Sequence, residues 1–174
     1  SRKLAEVSPF EEGDLLISMR GINGIAVIRP SLKKVIWAKT GPWRNQHYAR
    51  LYDDGLIYIY DNEGAMKVIN SGNNISLESS VRVLSFSPNS EDINTVFYMP
   101  EYLDHQSYWR GFYNRLDNGT SLLSSAESSR ILQVDQEGEV IWEMRAVPNR
   151  DTDNVPFLSK ILSVRNYPAD YFEF

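Results

Sequence analysis

Two histidines and no cysteine leave this 174-residue chain a short inventory of reactive side chains. Without thiols it has no disulfide framework, thiolate zinc centre, iron–sulfur cluster or cysteine nucleophile. Catalytic zinc normally takes about three protein ligands, which two imidazoles serve poorly, so neither metal nor cofactor is expected. The acidic run Asp151-Thr152-Asp153-Asn154 reads as a solvated loop before it reads as a Ca²⁺ cradle. No glycine-rich phosphate loop leads from a strand into a helix and no nucleophile elbow occurs, so nucleotide-loop and α/β-hydrolase chemistry are unsupported. What remains is an imidazole and a guanidinium. His47, preceded by Gln46, can act as a nucleophile, and Arg20 can pair with oxygens on which charge builds. Each also has a structural reading: a lone histidine near a strand start is more often a hydrogen-bonded structural residue, and an arginine often pairs with an acidic neighbour. His105, inside Tyr102-Leu103-Asp104-His105-Gln106-Ser107-Tyr108-Trp109, falls in a loop between repeats and is left out of the site.

The elements that must hold these groups are strands. Aromatics make up 12% of the chain, Val, Ile, Ser and Thr recur in short runs, and no stretch shows 3.6-residue spacing with caps at both ends. The runs include Leu15 to Arg20, Ile25 to Ile28, Lys34 to Lys39, Tyr48 to Tyr52, Leu56 to Tyr60, Val81 to Phe86, Thr95 to Met99, Phe112 to Leu116, Ser121 to Ser124, Ile131 to Val134, Val140 to Met144 and Ile161 to Val164. Glu12-Gly13, Asp54-Gly55 and Asn118-Gly119 are tight-turn signals between them. They also mark an internal repeat, in which Asp54-Gly55 and Asn118-Gly119 each follow an Arg-Leu pair, Arg50-Leu51 and Arg115-Leu116. Gly13 and Gly55 are 42 residues apart, a period typical of four-stranded propeller blades. The expected fold is all-β: a partial β-propeller of about three four-stranded antiparallel blades near 13–41, 47–99 and 111–146, extra terminal strands, and a C-terminal tail at 155–174. Surplus length is assigned to loops at Asn62 to Ser80 and Glu101 to Arg110. Because propellers carry about four to eight blades, a missing segment or another chain must complete this one. An irregular β-sandwich is the competing fold.

In a blade, the start of the first strand and the end of the second emerge at one mouth. His47, Arg20, Asp61-Asn62 and Glu127-Ser128 therefore converge there, although Asp61-Asn62 equally serves to shape a turn. Trp37 and Trp142 recur in the repeat and read as blade-packing residues.

Gly13-Asp14-Leu15-Leu16-Ile17-Ser18-Met19-Arg20-Gly21-Ile22-Asn23, Val35-Ile36-Trp37 and Thr40-Gly41-Pro42-Trp43-Arg44-Asn45-Gln46-His47 resemble the arylsulfotransferase family of β-propellers. The likeness continues through Asp61-Asn62, Arg115-Leu116-Asp117-Asn118-Gly119, Ser129-Arg130-Ile131, Gly138-Glu139-Val140-Ile141-Trp142-Glu143 and the ending Val164-Arg165-Asn166-Tyr167-Pro168-Ala169-Asp170-Tyr171. It corresponds to the C-terminal half of a family member. The resemblance implies sulfuryl transfer from an aryl sulfate to a phenol through a sulfated histidine at the central channel. On that reading His47 is the nucleophile, Arg20 holds the sulfate oxygens, and Gln46, Asn23, Asn62 and Arg44 bind substrate. The family's histidine-and-asparagine motif from earlier blades has no match in this sequence. Gly21, where the family commonly has Asn, and Tyr48 after the histidine depart from its pattern, which favours a second class: a non-catalytic propeller serving as an interaction scaffold. His47 buried at the mouth near Arg20 discriminates for the enzyme.

The 23 acidic against 18 basic side chains and a net charge of −5 argue against the broad basic face that nucleic acid demands. No apolar run is long enough to span a bilayer, and Ser1-Arg2-Lys3-Leu4-Ala5-Glu6 has no signal-peptide core and reads as a cut start. The resemblance implies an extracytoplasmic setting. Asn74-Ile75-Ser76 and Asn118-Gly119-Thr120 are glycosylation sequons, the second in a tight hairpin.

Overall fold

Leu56-Ile57-Tyr58-Ile59-Tyr60 is β-branched or aromatic at four of five positions, a composition suited to a strand covered on both faces. In the computed structural model the chain is all-β, with no α-helix among the described residues. Those residues are 10–62, 67–71, 74–78, 81–100, 103, 107, 110–126, 128–146, 161, 164, 165 and 167, with backbone alone at 67–71 and 74–78. The strands in chain order are β1 (Leu15–Met19), β2 (Gly24–Arg29), β3 (Lys34–Thr40), β4 (His47–Leu51), β5 (Ile57–Asp61), β6 (Lys67–Ser71), β7 (Asn74–Glu78), β8 (Arg82–Phe86), β9 (Asn94–Tyr98), β10 (Gly111–Arg115), β11 (Ser121–Ser125), β12 (Arg130–Val134) and β13 (Val140–Arg145). They form three antiparallel sheets, β1-β2-β3, β4-β5-β8-β9 and β10-β11-β12-β13, which are the partial propeller blades.

Turn chemistry sets the common register. Gly55 and Gly119 take φ of +75° and +84°, and two residues later β5 and β11 begin. Tyr52 and Leu116 close these hairpins by donating their N–H groups to Leu56 and Thr120 carbonyls at 3.0 and 2.8 Å. β1 starts two residues after Gly13 and so corresponds to β5 and β11, the second strands of their blades. The first sheet accordingly has three strands among the described residues, one fewer than the expected four, and it is the innermost that has no described counterpart. The Arg-Leu pairs are one step out of register: Leu51 faces Ile57, whereas Arg115 faces Ser121.

The length expected as a loop at 62–80 holds the two-stranded β6-β7 sheet. Gly72-Asn73 between two five-residue strands is a hairpin signal that the sequence carried. Glu127, expected at the mouth, and His105, left out of the site, lie outside the described residues, as does most of the strand expected at 161–164.

Adjacent blades share cores. Ile25 from the first sheet packs with Ile57, Ile59, Leu84 and Phe86 from the second, and Trp43 from the connecting loop joins them. Tyr58, Tyr60, Val83 and Phe97 pack with Tyr113, Leu123, Leu132 and Val134 of the third. Every residue of β5 is therefore buried. Trp37 packs between blades as expected and donates its indole N–H to the Pro88 carbonyl at 3.2 Å. Trp142, at the equivalent position, is 48% exposed, because no described sheet follows β13.

Candidate active site

The approach to His47 is a braced loop. Trp43 is buried, stacks on Phe86 with centroids 5.3 Å apart, and donates its indole N–H to the Asn23 carbonyl at 2.7 Å. Gly41 is needed there, since a Cβ would run into the Trp43 ring. The Arg44 N–H donates to Asp61 Oδ1 and the Asn45 N–H to Asn23 Oδ1, both at 2.8 Å. Asp61 is itself buried and paired with the Arg82 guanidinium at 2.8 Å, and Arg82 also donates to the Pro42 carbonyl at 3.0 Å. Gln46 is fully buried and donates its amide to the Gly24 carbonyl at 2.9 Å and Ser18 Oγ at 3.3 Å. Asn23 and Asn45 both sit in the left-handed region, which Asn tolerates better than most residues.

His47 then opens β4, and a bulge decides where it points. His47 faces Tyr60, Ala49 faces Ile59 and Arg50 faces Tyr58, so Tyr48 is the extra residue. Opposed residues in an antiparallel pair share a face. His47 therefore shares the face of Arg50 rather than that of Ala49, which packs toward the first blade. Tyr48 has a φ of +50° and sets its ring against Phe112 with centroids 4.4 Å apart.

On that face lies a cavity of about 800 Å³ against the first strands β4 and β10, where a propeller has its central channel. His47, Tyr48, Arg50, Arg110, Phe112 and Asn114 line it, and Arg165 and Tyr167 from the C-terminal segment complete its wall. The His47 Nε2 atom is buried. Arg50 donates to the Tyr48 hydroxyl at 3.2 Å and to Asn114 Oδ1 at 2.9 Å and lies over the Tyr52 ring. Burial opposes its charge, but the bond to Tyr48 and the nearby phenols outweigh that and raise its pKa above the ordinary value. Behind it, burial pushes the Tyr52 hydroxyl up to about 12, against the lowering effect of the Arg115 N–H that it accepts at 3.1 Å.

The residues singled out in the sequence divide by what they line and what they brace. His47 lines the cavity; Arg20, Asn23, Arg44, Gln46 and Asn62 are not among its lining. Arg20 opens the 3₁₀ turn Arg20–Ile22 in the blade on the other side of β4, with its Nε buried. Gln46 and Asn23 brace the loop, and Arg44 contributes its backbone while its side chain is exposed. Asn62, at the same end of its blade as His47, is buried with neither amide atom hydrogen-bonded among the described residues. Arg50, Arg110 and Arg165 are the cavity cations that sequence reading passed over. Arg50, three residues past His47, belongs to the opposite face in a regular strand, so no local pattern joined the two.

Among the described residues no three His, Asp or Glu side chains gather as a metal site, and no helix is long and apolar enough to cross a membrane.

Successive antiparallel blades, with a histidine-bearing cavity against their first strands, define a partial β-propeller. A family model described as arylsulfotransferase (ASST) matches residues 2–147, and the chain belongs to that family. No curated protein matches the chain. A crystal structure of a protein of unknown function from Bacteroides caccae is similar at 13% identity and a TM-score of 0.47, over 80% of this chain and 49% of that one. The chain thus spans about half the length of that protein.

Proposed function

We propose that the chain carries the nucleophile of a sulfuryl-transfer site. A neutral His47 nitrogen attacks the sulfur of an aryl sulfate; the N–S bond forms as the S–O bond to the aryl group breaks, and the electron pair leaves on the phenolate. An acceptor phenol then attacks the sulfur; the new S–O bond forms as the N–S bond breaks and frees the neutral imidazole, and the acceptor's proton passes, directly or through solvent, to the phenolate released in the first step. One observation carries this reading: the Tyr48 bulge turns His47 into a cavity where guanidinium groups and aromatic rings share the wall. Guanidinium pairs sulfuryl oxygens, and rings flank an aryl group. Family membership supports the same chemistry. Further blades, from a longer form of this chain or from another one, complete the propeller. The family relationship also supports an extracytoplasmic setting and a substrate pair of aryl sulfate and phenol. Arg20 stays a candidate sulfate ligand, to be weighed against Arg50.

The test is to incubate the intact native particle with 4-nitrophenyl sulfate and a phenol, following 4-nitrophenolate release and protein mass. Transfer with a sulfated intermediate is expected. His47→Ala should abolish both, and Arg50→Ala should slow transfer about 10²- to 10³-fold, as loss of one donor to developing charge does elsewhere. A collapse with Arg20→Ala while Arg50→Ala is active would move the sulfate pocket to the first blade. A completed propeller that transfers nothing, with or without His47, would leave the scaffold reading.

A further inference from the structure

The cavity at His47 holds more positive charge than one sulfuryl group uses. Arg50, Arg110 and Arg165 line it, and no carboxylate is among its lining within the described residues, in a chain whose net charge is −5. Five arginines elsewhere are matched to acids: Arg29 to Asp14 and Glu11, Arg82 to Asp61, Arg115 to Asp54, Arg130 and Arg145 to Glu143. Arg50 is held instead by neutral groups, the Tyr48 hydroxyl and the Asn114 amide, which orient its guanidinium without neutralising it. Arg110 and Arg165 are exposed and form no ion pair with described residues. Local cation excess in a concave, aromatic-walled site concentrates anions there even on an acidic protein.

An aryl sulfate monoester carries one negative charge, and that total is unchanged as the group passes to a neutral imidazole. One guanidinium balances it, so two remain. We infer that the ligand is an aromatic polyanion: an aryl sulfate or acceptor phenol bearing at least one further anionic group, a carboxylate or a second sulfate, on its aryl part. The ring lies on the Tyr48 and Phe112 side, and the cations around it hold the two charges. A volume of about 800 Å³ accommodates more than a single unsubstituted ring. The assignment of the sulfate to His47 rests on the sulfuryl-transfer reading, whereas the preference for two charges does not require that transfer occur.

The experiment uses probes that cannot be transferred. Calorimetry on the intact protein compares benzenesulfonate, benzene-1,3-disulfonate, 4-sulfobenzoate and inorganic sulfate at low and moderate salt. The two dianionic aryl probes should bind about five- to tenfold more tightly than benzenesulfonate, as one added charge-assisted contact at a partly solvated arginine provides, and salt should narrow the gap. Arg110→Ala and Arg165→Ala, both at exposed positions, should leave the melting temperature in place and bring the ratio toward one. Equal affinity for one and two charges in the unaltered protein, or a ratio that survives loss of all three arginines, overturns the inference. Inorganic sulfate binding as well as the disulfonate overturns its aromatic part. A twofold-charge preference together with absent transfer sinks only the sulfuryl-transfer reading, so the two failures are distinguishable.

Discussion

Tyr48 is an aromatic residue at φ +50°, a backbone conformation that costs an ordinary side chain about 1–2 kcal/mol. Its ring contact with Phe112 and the hydrogen bond from Arg50 offset that cost. If the bulge is what aims His47, then removing its tolerance for positive φ should disable the site. In Tyr48→Ile a β-branched residue resists that conformation, the ladder becomes regular, and His47 turns to the face of Ala49. Transfer should drop to the level of His47→Ala, and His47 should react differently with diethyl pyrocarbonate. Tyr48→Gly accepts the same φ without strain and should retain more transfer than the isoleucine variant, although both lose the ring contact and the hydrogen bond from Arg50. Equal behaviour of the two variants would show that the bulge does not control the histidine.

At the scale of elements, the turn into β1 is tied to the end of β2 by Asp14, which is buried and takes Arg29 Nε and Nη2 on its two oxygens, both at 2.9 Å. That pairing, helped by the Glu11 N–H and opposed by burial, holds the Asp14 carboxyl at about 2 against an ordinary 3.8. A depressed carboxyl pKa stabilises the fold above the unfolded value and loses that contribution as pH falls through the folded one. Thermal melts should therefore show an acid limb between about pH 4 and 2 that flattens in Asp14→Asn; parallel curves for the two proteins would exclude Asp14 as its origin. β10 makes a steric prediction. A Cβ at Gly111 would overlap the Tyr60 ring, which is fully buried and has nowhere to move. Gly111→Ala should destabilise by about 1–3 kcal/mol, the usual cost of overpacking, and a melting temperature equal to the original would contradict this close approach.

Across the whole molecule, equivalent rows of residues meet different fates. Ile57 and Phe86, opposed in the second blade, are both fully buried. The corresponding row of the first blade, Leu15, Ile28 and Val35, lies on one face, with Leu15 51% and Val35 63% exposed. Trp142 is the counterpart on the far side of the third blade. Open apolar faces at both ends suit a propeller completed by further blades. Studied by itself, the 174-residue chain should self-associate, and the double change Leu15→Lys and Val35→Lys should shift it toward monomer in light scattering. A monomeric unaltered chain would mean that these faces need no cover.

Strands, hairpins and the repeat were legible in the sequence because their causes are local: β-branched and aromatic runs, and glycines where a turn demands positive φ. Family motifs likewise singled out Gln46-His47 from contiguous residues. The bracing roles of Asn23 and Gln46 were not legible, since their partners Asn45, Trp43, Gly24 and Ser18 come from a neighbouring blade or across a loop. Nor was the face on which His47 lies. In a strand one extra residue reverses every side chain beyond it, and whether Tyr48 is that residue depends on its pairing opposite Tyr60 and on Phe112 beside it. Tertiary structure alone decided that His47 shares a cavity with Arg50, Arg110 and Arg165, because only packing brings together positions so far apart along the chain.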